Sequence, residues 1–378
     1  MIATKNITKP QPAAENTKIN KLISKSTIPL SVPFLLTGYL ISICIFVQTL
    51  DVASQDFFRN LVSCLSNPFI GLFIGLMLVS ILQRTLLAVM IVMVVASAGL
   101  LSASQAVPVI IGINIGITFT HHLISLGRTS KRREFRRFIA VATLHSFFSI
   151  CVALLIFPLE YFFKLPSQTV TFLAVNLKPA NTTGLSPLAL PLTTFLINIF
   201  QQYPLIMSGI SGVLFVVCFR LFSERMKKIF EKKLLKQDGT IFFDKPISTL
   251  LWDGGITACT IQSGIMTVSL IIPLIIRKKV SLGRIFPFVA GAYLGASLIP
   301  LLIALLLLNE AATEVALGHF LFVAFGVLIF FPFSGLRYIP VLLSRKLATL
   351  TIRNRTIGLL YVLVVFFIIP FLLILFTK

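Results

Sequence analysis

Two stretches of this chain share one spacing. Gln83 is followed twenty-five residues later by Pro108, and then by Gly112 and Gly116 at four-residue steps. After the same gap, Gln262 is followed by Pro287, Gly291 and Gly295. Eight residues before each glutamine stands a glycine, Gly75 or Gly254. Further on, HSFFSICVALLIFP (145–158) matches HFLFVAFGVLIFFP (319–332), pairing His145 with His319, Phe148 with Phe322 and Pro158 with Pro332. A single Gly or Pro coincidence arises about one time in twenty at ordinary composition, so the whole set marks an internal duplication. Such a chain folds as two copies of one unit.

Composition sets the solvent. Apolar residues make up 57% of the chain and charged residues only 12%, about half the charge of a soluble domain. Apolar segments recur at about 29–50, 67–101, 103–126, 138–162, 189–219, 248–276, 283–308, 315–336 and 356–377. These are helix-length runs rather than the roughly ten-residue alternating segments of a membrane barrel, so an all-α polytopic membrane protein is expected. Residues 1–27 are polar and basic with no apolar core or cleavage site, so no cleavable signal is expected, and 29–50 serves as the first span. The formal charge of +21 has a simple distribution: 28 of the 33 Lys and Arg lie in 1–27, 128–137, 220–245, 277–284 and 337–355. Placed on the cytoplasmic side, these segments satisfy the positive-inside rule, and the partner they imply is the lipid bilayer rather than nucleic acid. Cys44, Cys64, Cys151, Cys218 and Cys259 show no metal-binding spacing and read as small core residues.

The same rule constrains topology. If 67–101 crossed once as a straight span, GRTSKRREFRR (127–137) would lie outside. Counting 67–101 and 248–276 as zero or two crossings puts every basic segment inside and Asp51, Asp56, Glu160, Glu310 and Glu314 outside. Thirty-five residues split in two give half-helices of about 25 Å, short of the roughly 30 Å hydrocarbon core. Each is therefore expected to be a re-entrant hairpin with its glutamine near the tip, one entering from each face, which makes the repeats inverted in topology. The units follow: a cytoplasmic basic tail (1–27), the first span and outer connector (28–66), a first repeat (67–162), and an outer loop with linking helix and basic loop (163–247). A second repeat (248–345) and a C-terminal span (346–378) complete the chain, with the N-terminus cytoplasmic and the C-terminus outside. The outer loop holds a glycosylation sequon at Asn181-Thr182-Thr183, read here as an unmodified surface tripeptide.

These residues resemble the type II sodium–phosphate cotransporter family, whose pattern is a duplicated QSSS hairpin, then a PxxxGxNxGT helix, then an HxxFN helix. The first copy here reads QRTL (83–86), PVIIGINIGIT (108–118) and HSFFS (145–149); the second reads QSGI (262–265), PFVAGAYLGAS (287–297) and HFLFV (319–323). The similarity covers about 67–158 and 248–332. It implies a secondary transporter in the plasma (inner) membrane that imports inorganic phosphate or a similar oxyanion with sodium. Several positions depart from the pattern. Arg84 stands where a serine is expected, Gly264 and Ile265 replace two more, Tyr293 stands at the counterpart of Asn114, and Ser149 and Val323 replace the asparagines of HxxFN. A transport-inactive regulatory or scaffold relative, and a sodium-independent anion carrier using Arg84, are the alternatives that these departures leave open.

At a hairpin tip one half-helix ends and another begins. The starting end offers N–H groups and a positive dipole to an oxyanion, while ending carbonyls, amides and hydroxyls suit sodium. Gln83, Arg84, Thr85, Asn114, Thr118, Gln262, Ser263 and Ser297 are expected at one central site, with Gln83, Gln262 and Ser263 as the sodium-facing groups. Arg84 and Asp253 are the two charges expected within the membrane and are expected to pair, with a partnerless Asp253 near the cytoplasmic mouth, beside interfacial Trp252, as the alternative. His145 and His319 read as packing or interfacial histidines, and His121-His122 as an interface pair. No P-loop, nucleophile elbow, catalytic carboxylate pair or metal cluster appears, so neither an enzyme nor a resident cofactor is expected. Self-association into a homo-oligomer is compatible with this class.

Overall fold

A computed structural model describes residues 31–53, 62, 64–119, 132–177, 195, 203–234, 243–277 and 280–376. The basic tail, the sequon, Asp56 and His121-His122 lie outside the described residues.

Among the described residues the chain is helical and has no strand. The first series comprises α1 (Ser31–Ala53), α2 (Pro68–Leu82), α3 (Thr85–Ser97), α4 (Ala103–Gly116), α5 (Arg132–Phe163) and α6 (Leu165–Leu177). The second comprises α7 (Pro204–Leu234), α8 (Ile247–Ile261), α9 (Gly264–Arg277), α10 (Leu282–Leu307), α11 (Glu310–Phe330) and α12 (Ser334–Arg353). Two further helices, α13 (Arg355–Leu363) and α14 (Ile369–Phe376), are joined by a π-turn over Val364–Ile368. Four described helical stretches are long and apolar enough to cross a membrane: Glu134–Phe163, Leu282–Leu307, Glu310–Phe330 and Arg355–Phe376. This is the make-up of a polytopic membrane protein.

The paired glycines explain the packing. α2 lies along α4, and α8 lies along α10. A Cβ on Gly75 would overlap the Val109 carbonyl oxygen, and one on Gly254 would overlap that of Phe288. Across the same seams, Gly112 abuts the Leu72 carbonyl and Gly291 that of Leu251, while Gly116 abuts Leu76 and Gly295 abuts Gly255. Backbone rides on backbone at equivalent positions, which only glycine permits at these seams. In lipid, where apolar surface gains nothing by leaving water, this close packing is a main source of helix association.

The remaining contacts run in parallel too. α3 packs on α11, and its counterpart α9 packs on α5; α1 packs on α3, and α7 on α9. α1 and α7 pack on each other, with Tyr39 stacked on Phe215 at 5.3 Å between ring centroids. The helices that follow the histidine helices are exchanged: α6 packs on α11, and α12 on α5.

Those last two helices were not expected. Residues 163–188 look like a polar outer loop, yet 165–177 form α6, whose buried Ser167, Val170 and Ala174 follow helical spacing. Its start is fixed by the buried Glu160 carboxylate, which accepts the Ser167 N–H at 2.9 Å. The basic stretch 337–355 likewise forms most of α12, burying Val341, Ser344, Leu347, Ala348 and Thr351 on one face. α12 runs through residue 346, so the helix break before the last span falls at Asn354, whose side chain accepts the Thr356 N–H at 3.0 Å.

Candidate functional site

Each glutamine ends a helix in the same way. Gln83 terminates α2 at φ 58°, and Gln262 terminates α8 at φ 60°. Both lie in the left-handed region, which is uncommon for a residue with a side chain. Gln83 N–H closes on the Val79 carbonyl at 2.7 Å. The next residue is extended in the α2–α3 turn, where Arg84 caps α3 with φ −143° and ψ 114°. In the α8–α9 turn Ser263 Oγ accepts the Met266 N–H at 3.3 Å at the start of α9. α8 and α9 meet at a 120° bend.

The two turns come together. Arg84, Thr85 and Leu86 from the first, and Gln262, Ser263 and Gly264 from the second, line one cavity with Phe219, Tyr293, Ala296 and His319. The void is about 20 Å³, room for about one water or a bare ion. Among the described residues Arg84 is the sole ionic group on its wall, and the charges within electrostatic reach of it are Arg220 and Glu224 of α7. Two buried polar atoms at the cavity residues lack a protein partner among the described residues: Gln262 Oε1 and His319 Nδ1. Such atoms in a membrane interior call for water or a ligand.

The structure thus gathers four of the expected site residues: Arg84, Thr85, Gln262 and Ser263. The other four lie elsewhere. Gln83 is exposed and does not line the cavity. Asn114 is buried and donates from Nδ2 to its own helix at Ile110 O, 2.9 Å away. Ser297 donates to Leu294 O at 2.7 Å. Thr118 lies 2.9 Å from Ile115 O and 3.0 Å from Ser146 Oγ, which in turn lies 3.0 Å from Tyr361 Oη. The Thr118, Ser146 and Tyr361 hydroxyls tie helices together, a common use of small polar groups in membranes.

The expected pair of Arg84 with Asp253 is not formed. Asp253 Oδ2 instead accepts from Lys245 Nζ at 2.6 Å, and the two side chains are 30% and 37% exposed. Lys245 sits in the turn before α8, so a local partner at the helix start satisfies the carboxylate. Because the pair is solvated, Asp253→Ala is expected to change stability by no more than about 1 kcal/mol. Denaturant melting in detergent checks this; a loss of several kcal/mol would reveal a buried partner.

Three ring-bearing residues of the wall escaped the sequence reading. His319 is 4% exposed and faces the cavity rather than an interface; its pairing with His145 was the available signal. Tyr293 stands where the first repeat has Asn114, and its ring stacks on His145 with centroids 3.1 Å apart and planes 11° apart. A Cβ on Gly264 would lie 3.0 Å from Tyr293 Cδ1, so the ring takes the space a side chain at 264 would need. Phe219 comes from α7, and nothing in its local sequence marks it.

Comparison with known proteins shows what the chain is similar to. Residues 23–175 match the model of a family described as Na+/Pi-cotransporter. Sodium-dependent phosphate transport protein 2A of Ovis aries is 24% identical over 460 aligned positions, covering 98% of this chain and 70% of the relative. The Rattus norvegicus 2A protein is 26% identical, covering 96% and 69%, and the human 2B protein is 23% identical, covering 89% and 64%. No solved structure matches. The relatives are transport proteins and not enzymes. With the family match on the first series and relatives aligned across both, this chain is similar to the sodium-dependent phosphate transport proteins 2A and 2B.

Proposed function

We propose that the chain is a secondary transporter that imports inorganic phosphate, or a similar oxyanion, together with sodium through the plasma (inner) membrane. The observation that carries this reading is the single cavity shared by the two glutamine-broken hairpins. The hairpin helices hold 15, 13, 15 and 14 residues, so each is about 20–22 Å long and too short to span alone. Two hairpins dipping from opposite faces, as inverted repeats, would hold their broken ends at mid-depth, where irregular backbone is tolerated only around a cavity or ligand. The equivalent glycine seams and reciprocal helix contacts support that duplication.

The wall suits both ions. The Arg84 guanidinium and the α3 N-terminus favour an oxyanion. Gln262 Oε1 and the Thr85 and Ser263 hydroxyls are oxygen ligands of the sort sodium prefers. A void of about 20 Å³ is too small for phosphate, so uptake requires the tips to part, and opposite movements of the two hairpins would open the site to one face at a time.

The experiment is uptake of labelled phosphate into proteoliposomes with and without an inward sodium gradient. Sodium-stimulated accumulation is the expected result. No uptake of phosphate or any other oxyanion under either condition would defeat the reading and favour a regulatory or scaffold role.

A further inference from the structure

The cavity has a fixed charge on one side and none on the other. Arg84 belongs to the first hairpin, and its side chain does not cap its own helix. At the matching position of the second hairpin stands Ser263, a neutral acceptor. Among the described residues no carboxylate lines the wall to neutralise the guanidinium, and Glu224, the acid within electrostatic reach, is exposed and opposed in its effect by Arg220. Two independent features point to a ligand in this space: among the described residues His319, 96% buried, has Nδ1 unpartnered, and Gln262 Oε1 is buried and unpartnered. Tyr293, held by His145 and by the open face of Gly264, fills much of what remains.

We infer that Arg84 stands in for one of the cations that accompany the anion, so that the first hairpin needs no dissolved ion and only the second takes up sodium. This rests on the transport reading above for the identity of the anion. An oxyanion entering a membrane interior must be met by positive charge, since an uncompensated charge there is costly. A guanidinium meets it with a planar fork of donors and stays charged at any physiological pH. It cannot dissociate, so it returns with the protein in each cycle and lowers the number of sodium ions carried per anion by one. The second hairpin, with Gln262 Oε1 and Ser263 Oγ but no fixed cation, keeps its sodium. The small void fits one such ion.

The test is stabilisation by inorganic phosphate of the purified chain in nanodiscs, with choline replaced stepwise by sodium. Wild type, Arg84→Lys and Arg84→Ser are compared by melting temperature. Wild type and Arg84→Lys are expected to show a hyperbolic rise with sodium. Arg84→Ser is expected to need about tenfold more sodium or more, with a sigmoidal rise, because a second ion must now be bound. Coincident sodium curves for wild type and Arg84→Ser would overturn the inference. So would an Arg84→Ser protein that melts like wild type without ligand yet gains nothing from phosphate at any sodium concentration, which would make Arg84 an anion ligand only. Absence of a phosphate effect in wild type would overturn it as well. The readout is binding, so failure of uptake in proteoliposomes would defeat the transport reading and leave this result standing.

Discussion

Alanine at Gly112 or at Gly291 is expected to prevent the chain from reaching its packed state. At both positions a Cβ would overlap a backbone carbonyl oxygen, of Leu72 in the first series and of Leu251 in the second. Overpacking that side chains can absorb costs about 1–3 kcal/mol. Here the obstacle is the main chain of a neighbouring helix, so α2 must lift from α4, or α8 from α10, along a seam with two more glycine contacts. The cost falls on van der Waals contact, which lipid does not replace with a hydrophobic driving force. Gly283→Ala is the control, because nothing lies within 4 Å of the Cβ it adds. Monodisperse yield after detergent extraction, followed by thermal melting, reads the difference. Normal yield and melting for Gly112→Ala would show that the seam is not as tight as described.

The second large effect separates the cavity from the ties around it. Gln262→Ala removes a buried acceptor, unpartnered among the described residues and proposed above as a sodium ligand, and is expected to lower sodium-stimulated phosphate uptake about tenfold to a hundredfold, the range for losing one polar contact to a charged group. Thr118→Val removes a hydroxyl that links α4 through Ser146 to Tyr361 of the last span. That change is expected to cost about 1 kcal/mol of stability and little transport at saturating substrate. Initial rates normalised to folded protein, beside melting curves, distinguish the two. A Thr118→Val protein with lost uptake and a Gln262→Ala protein with normal uptake would move the site away from the hairpin turns.

What could be read from residues alone depended on the repeat. The helix break at Gln262 has local reasons, since Ser263 caps the next helix and Gly264 is a poor helix former. The break at Gln83 lies in QRTL, with no glycine or proline beside it, and only its match to Gln262 gave it away. Equivalence in sequence did not extend to side-chain direction: Gln262 lines the cavity, whereas Gln83 points out. Helices α6 and α12 were hidden because their polar and basic residues dominate any average, while their buried stripes face the partner series across long sequence separations. The proposed partner of Asp253 was drawn from a distance when a lysine eight residues away was within reach. Tyr293 looked like a loss at an asparagine position, but its bulk is a gain that only the facing His145 and Gly264 make sensible.

The most direct check is a proximity measurement between the two hairpin turns. In a background with Cys44, Cys64, Cys151, Cys218 and Cys259 replaced, Thr85→Cys and Ser263→Cys would be combined and treated in membranes with a short bifunctional thiol reagent. Both side chains line the same small void, so a high yield of intramolecular cross-link is expected. Two cysteines that each react with a monofunctional reagent but never link to one another would contradict a shared cavity.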